Sequence, residues 1–465
     1  MSTLAEHEAR VERLIQSLRE RAPSAGFASL RKGTVSHYVP DPHDPRHKDA
    51  KIDVSSLHHL LDLDVERRVC TAEPGLSFSA LLGHTLPHNL APALVPELTH
   101  ITVGGAVAGC AVESQAFRNG GFHDHCLEYE MLGSGGERHR CSPSEDPELF
   151  EMIHGSYGTL GILTKLTFSL LPVKPFVHVR YETFRRYADL HAALVARAGD
   201  PEIAALDAIA HAPDRFVLCE GRFVDEAPYR SDYTGVNIYY RSTLTRAEDY
   251  LSTYDYFYRF DADCHWATRT IPGMQSAWGR RLWGPLFLGS RKLLRWSERL
   301  RPIERLKRSP PPVVTDVFIP ERHAESFWDW YASKFSFYPV WLVPYRMPRP
   351  YAWLHPEHVA RAGQSFYIDF AIYGLEDTHA SPCYSEQIER KTFELGGIKT
   401  LIGRNHYEPA TFARIYDQQR YAAVKQRLDP GNLFRTVYEK RCAPEGARVL
   451  ATEPARGARR LAVPG

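Results

Sequence analysis

The stretch Thr102–Phe122, TVGGAVAGCAVESQAFRNGGF, decides the fold. It sets Gly104, Gly105, Gly109, Gly120 and Gly121 among small residues. Glycine in this density marks backbone that closely approaches another group, and the bare amides of such a loop can cradle a pyrophosphate. The spacing is neither the G-x-G-x-x-G of a dinucleotide-binding turn nor a P-loop. Downstream, YGTLGILTKLTFSLLPVK (Tyr157–Lys174) supplies a second close-approach pair, Gly158 and Gly161, running into a strand.

Working outward, LVPELTHITVGGAVAGCAVES, CSPSEDPELF, GTLGILTKL, YPVWLVPY and YIDFAIYG follow in order. Together they resemble the vanillyl-alcohol oxidase (PCMH-type) flavoprotein family, and within it the Δ24-sterol reductases, from about Arg31 to Arg441. The resemblance implies an α+β fold: a two-subdomain FAD-binding domain over 1–175, a substrate or cap domain of antiparallel sheet and helices over 176–425, and a segment, 426–442, returning to the FAD domain. The tail, 443–465, is rich in Ala, Gly, Pro and Arg without apolar periodicity and reads as disordered. The cofactor-binding residues that the resemblance implies are Thr102, Val103, Gly104, Gly105, Gly109, Glu113, Ser114, Gly121, Phe122, Gly158, Thr159, Gly161 and Ile162. SLRKGTVSHYVP (Ser29–Pro40) stands where the family carries an Arg-Gly-x-Gly-His-Ser loop whose histidine often bonds the flavin. Only Arg31, Lys32, Gly33 and Ser36 match and no histidine falls in register, so the FAD is expected to be non-covalent. Arg31 and Lys32 either neutralise phosphate or form a solvated basic turn.

Composition narrows the class. A hydrophobic fraction of 43% and a charged fraction of 24% are those of a globular enzyme, and a net charge of +1 gives no reason to expect a nucleic-acid partner. The eight cysteines (70, 110, 126, 141, 219, 264, 383 and 442) include no C-x-x-C pair, which points to reduced thiols and a cytoplasmic location. The charged start, MSTLAEHEARVERLIQSLRERAP, has no apolar core of a signal peptide. No eighteen-residue uncharged apolar run occurs. Animal and plant members of the resembled branch carry an N-terminal anchor; this chain is expected to be soluble or peripherally membrane-associated. Nothing in the sequence sets the oligomeric state.

Along the chain, Glu6–Arg21 has helical periodicity through Val11, Leu14, Ile15 and Leu18. Adjacent His58 and His59 are expected to face apart, and no metal site is expected there or at His123-x-His125. Ser144 or Asp146 caps a helix, and Gly135–Gly136 turns a hairpin. From Phe176 aromatics become dense, as a pocket for a large apolar substrate requires and as a plain core also would. Trp278–Trp296 mixes basic and apolar residues at helical spacing, interrupted by Gly279, Gly284 and Pro285; it reads as a membrane-surface patch, a solvated flank or a dimer face.

A flavin exchanges a hydride with a carbon stacked over it. Should the resemblance hold in full, the reaction is reduction of an isolated C=C bond of a sterol- or terpenoid-like substrate, with NADPH as co-substrate. Such an alkene must be protonated as it takes hydride, so the site needs an acid and aromatic faces that tolerate positive charge. Candidate catalytic residues are Glu113, His125, Tyr345 and Asp369, with His406 a further acid to weigh. Alternation in YIDFAIYG puts Asp369 on one face with Tyr367 and Ala371, opposite Ile368 and Phe370. An FAD-dependent oxidase or desaturase using oxygen remains open, as does a catalytically silent flavin- or lipid-binding protein.

Overall fold

The computed structural model describes residues 2–21, 26–34, 45–304 and 310–442. Ser36 of the basic loop and the tail from Ala443 lie outside those residues. The fold is α+β. In the first domain β1 (Ala28–Arg31) and β2 (Ala50–Asp53) pair in parallel. Next come β3 (Leu60–Asp64), β4 (Val69–Ala72), β5 (Leu90–Pro92), β6 (Cys126–Leu132), β7 (Arg138–Cys141) and β8 (Ile162–Pro172). They make an antiparallel sheet ordered β3-β4-β8-β6-β7, with β5 also on β8. β8, ILTKLTFSLLP, buries alternate side chains, the signature of a sheet with one face on the core.

The second domain is one sheet of eight antiparallel strands: β9 (Phe176–Phe184), β10 (Ala205–Ala212), β11 (Arg215–Val224), β12 (Glu248–Ser252), β13 (Val313–Pro320), β14 (Val340–Arg346), β15 (Phe366–Leu375) and β16 (Ile398–Lys399). Their order is β12-β9-β11-β10-β14-β15-β13-β16. Both faces of its centre are buried. Trp341, Val343, Tyr345, Tyr367 and Ala371 join the core shared with the first domain. Leu342, Ile368, Phe370 and Ile372 pack in a second core with residues of the helices Tyr187–Arg197 and Ala324–Lys334. The alternation expected around Asp369 is the one found.

The chain then returns to the first domain. The helix Gln418–Leu428 is held there by Tyr421, whose hydroxyl donates to Thr159 Oγ1 at 2.7 Å, and by Lys425, whose ammonium donates to the Thr159 carbonyl at 2.6 Å. The return is thus under way by Tyr421, ahead of position 426. Asp429 fixes the closing turn by accepting from the amides of Leu433 and Phe434.

Three local expectations need correction. The glycine stretch is not loop throughout: Val103–Gly109 is a short helix, capped by Thr102 Oγ1, which accepts from the Gly105 amide at 3.2 Å. Thr102 supplies an N-cap, and the small residues after it let the turn pack closely. His58 and His59 do not face apart; their rings stack with centroids 4.2 Å apart, because they lie in a loop without the side-chain alternation of a strand. Gly279, Gly284 and Pro285 do not interrupt the helix Ala277–Phe287; the break before the next helix, Ser290–Glu304, falls at Gly289, with φ +106°.

Candidate active site

A cleft of about 740 Å³ opens between the glycine helix, the β1–β2 unit, the start of β8 and the C-terminal residues Lys440 and Arg441. Of the residues expected at the cofactor, Thr102, Gly104, Gly105, Gly109, Gly158, Gly161 and Ile162 line it. Val103, Glu113, Ser114, Gly121, Phe122 and Thr159 do not border it. Gly104 is a close-approach position, since a Cβ there would sit 2.4 Å from Pro74 Cβ. Gly109 is the opposite case: a Cβ there would meet no protein atom within 4 Å.

Lys32, Arg46, Lys440 and Arg441 converge on this cleft. Lys32 stays exposed through the cleft mouth, yet the surrounding protein, then Arg441 and Arg46, lower its pKa. Burial, then Arg441, Arg46 and Lys32, push Lys440 further down. Cations gathered in this way make the cleft electropositive and favour an anion there. Sequence reasoning singled out Lys32 but missed Lys440 and Arg441, which arrive from the far end of the chain.

A second cavity, about 50 Å³, shares Gly109 and Tyr157 with the cleft and leads from it into the second domain. Its walls are apolar and aromatic: Phe318, Tyr345, Tyr351, Trp353 and Tyr416 among them. Trp353 lies between the rings of Tyr351 and Tyr416, at 5.5 and 6.2 Å and nearly parallel to both. A hydroxyl chain leads out of the cavity. Tyr345 and Tyr351 hydroxyls are 2.5 Å apart, and Tyr351 donates to Asp124 Oδ2 at 2.6 Å. Arg349, half-exposed, reaches Asp124 Oδ1 at 3.7 Å and Glu151 at 2.8 Å. Burial first, then the Asp124 charge, holds Tyr345 well above the usual phenol range, so it keeps its proton.

His123 also lines this cavity, and neither of its ring nitrogens has a hydrogen bond. Burial lowers its pKa and keeps the imidazole neutral. The sequence pointed instead at His125, which lies outside the cavity with Nε2 on the Asn119 carbonyl at 2.9 Å. The two histidines fall in a 3₁₀ turn, Phe122–His125, which points residues two apart in different directions.

The other candidate acids lie elsewhere. Asp369 is buried in β15, away from both cavities, and burial, then the Asp316 charge, raises its pKa far above the carboxylate range. His406 Nε2 pairs with Ser385 Oγ at 2.8 Å. Among the described residues Cys383, Glu386 and His406 bring ligand-type atoms within 4.8 Å of one another, a grouping absent from the sequence reading, while His123 and His125 form no such group.

Glu113 is buried in the domain interface. Arg259 spans Glu113 Oε1 and Asp207 Oδ2, at 3.2 Å each, and the Trp341 indole donates to Asp207 at 2.5 Å. Burial raises the Glu113 pKa to about 7, with Arg259 opposing and Glu97 and Asp207 adding to the rise. A folded carboxyl that binds its proton more tightly than the unfolded chain does loses stability as pH rises from 4.5 through 7. That loss is about 3 kcal/mol for this group. Thermal melts from pH 5 to 8 are expected to show a falling Tm in the parent protein and a shallower fall in Glu113→Gln; equal slopes would place the titration elsewhere.

Residues 4–142 match a family described as the FAD binding domain. The chain is similar to the Delta(24)-sterol reductase of Homo sapiens, 26% identical over 94% of this chain and 86% of that one. The Delta(24)-sterol reductase of Arabidopsis thaliana is 22% identical over 94% and 84%. Cytokinin dehydrogenase 5 of Arabidopsis thaliana is 31% identical over a shorter stretch, 26% of this chain and 23% of that one. The chain is an FAD-dependent oxidoreductase.

The residues present fit such a cofactor. The pyrophosphate of FAD carries two negative charges, and the Lys32–Arg46–Lys440–Arg441 group supplies the matching cations beside the capped glycine helix. The free space over Gly109, where cleft and aromatic cavity meet, suits a flat ring system. Among the described residues no helix is long and apolar enough to cross a membrane.

Proposed function

We propose that the protein reduces an isolated C=C bond near the end of a large apolar, sterol- or terpenoid-like molecule, with NADPH as electron donor. The observation that carries this reading is the aromatic cavity joined to the cofactor cleft at Gly109 and Tyr157 and served by a hydroxyl chain. At about 50 Å³ it takes a few heavy atoms, such as a branched alkene terminus, and not a whole sterol. Similarity to Delta(24)-sterol reductases over most of the chain supports the same choice.

Bound FAD supplies the hydride, and the chain's own residues handle the proton. While Asp124 is ionised, Tyr351 donates to it and Tyr345 donates to Tyr351, so no proton faces the cavity. A proton arriving on Asp124 reverses the chain: Asp124 donates to Tyr351, Tyr351 to Tyr345, and the Tyr345 hydroxyl turns to the substrate. The proton leaves Tyr345 Oη as hydride arrives at the neighbouring carbon, and Asp124 is reloaded from the side of Arg349. The aromatic rings of the cavity wall stabilise positive charge developing on the more substituted carbon.

The test is anaerobic stopped-flow of the yellow protein. Rapid bleaching by NADPH, reversal by an alkene such as a Δ24-sterol and slow reoxidation by air are expected. A flavin that NADPH does not bleach overturns the reading.

A further inference from the structure

The helix Ala277–Phe287 is amphipathic with its faces reversed. Gly279, Arg280 and Gly284 point inward. Trp278, Leu282, Trp283 and Leu286 point to solvent, at 73%, 52%, 45% and 49% exposure. Positions i, i+4, i+5 and i+8 share one helical face. A soluble helix normally hides this face; a contiguous exposed apolar patch marks an interaction surface.

The mounting is firm. Arg280 donates to Asp263 at 2.6 and 3.1 Å and to the Gly235 carbonyl at 2.7 Å. The next helix, Ser290–Glu304, folds back on the first: Trp296 donates to the Leu286 carbonyl at 3.2 Å and Lys292 to the Pro285 carbonyl at 2.9 Å. Cations predominate around the patch: Arg281, Arg291, Lys292, Arg295 and Arg299 are all exposed, against Glu298 and Glu304 on the second helix.

We propose that this helical hairpin docks the protein on an anionic lipid bilayer, with Trp278, Leu282, Trp283 and Leu286 seated at the headgroup–acyl boundary and the five cations on lipid phosphates and carboxylates. Two tryptophans on the seated face suit that boundary, where indole is preferred. The charge decides for a bilayer over a second copy of the chain: pairing two such faces brings like charges together, whereas an anionic surface neutralises them. At eleven residues the helix lies on the membrane and does not cross it. Docking here does not depend on what the flavin reduces.

Flotation of the FAD-loaded full chain with vesicles tests this without turnover. With 3:1 phosphatidylcholine:phosphatidylserine vesicles at low salt the protein is expected to float, with a blue shift of tryptophan emission. Phosphatidylcholine alone, or 1 M salt, should reduce binding by about tenfold or more, because the attraction is partly electrostatic. The variant Trp278→Ser/Leu282→Ser/Trp283→Ser/Leu286→Ser changes only exposed side chains, so it should keep its flavin and Tm while losing flotation. Lys292→Glu/Arg295→Glu/Arg299→Glu, at exposed positions outside the cofactor cleft, should lose only the anionic preference. Failure of the parent protein to float on anionic vesicles, or equal binding by the four-serine variant, overturns the proposal. So does a concentration-dependent dimer that the four-serine variant abolishes.

Discussion

Tyr345→Phe is expected to slow alkene reduction by about 100-fold or more, the lower range for losing a general acid, while NADPH bleaches the flavin at the parent rate. The substitution removes one oxygen and leaves the cavity's shape. Tyr351 still donates to Asp124, so no buried donor is orphaned. Tyr351→Phe keeps the Tyr345 hydroxyl in the cavity but cuts its link to Asp124, and a smaller loss with an altered pH profile is expected. Single-turnover absorbance measurements separate the two half-reactions. A Tyr345→Phe protein that reoxidises with substrate at the parent rate would move the acid to another cavity residue, His123 first, since its nitrogens are free there.

The second large effect is on cofactor affinity. Gly109→Leu is expected to raise the FAD dissociation constant by about 100-fold, equivalent to about 3 kcal/mol, with the Tm of the apoprotein unchanged or slightly raised. The new side chain meets no protein atom at its Cβ, and leucine favours a helix over glycine. It fills the space that cleft and cavity share. Gly104→Leu is the contrast, because its Cβ would run into Pro74; that variant should lose fold and flavin together. Fluorescence titration of apoprotein with FAD, alongside melts, distinguishes them. Tight FAD binding by Gly109→Leu would show that the ring system lies elsewhere.

The sequence carried the glycines that border the larger cleft. Gly104, Gly105, Gly109, Gly158 and Gly161 announce close backbone approach whatever surrounds them, and they do border one cleft. Strand alternation, a local property of the pleat, put Asp369 beside Tyr367 and opposite Ile368. A helix terminus behaved the same way: Asp146, one of the two candidates with Ser144, caps the helix at Pro147, because capping is settled within a few residues.

Tertiary structure alone decided which side chains meet. Glu113 sits in the glycine stretch, yet Arg259, 146 residues away, draws it into the domain interface and away from both cavities. His125 was separated from His123 because both fall in one 3₁₀ turn, where residues two apart point in different directions. Lys440 and Arg441 join Lys32 only because the chain closes back on its first domain. Tyr345, Tyr351 and Asp124 form a chain across two domains that no local pattern encodes. Periodicity records which face of an element is buried, so the sequence determined the elements, their faces and the glycines at the cleft. It holds no record of what the opposing surface presents, so the partners of Glu113, Lys32 and Tyr345 were set by packing between distant segments.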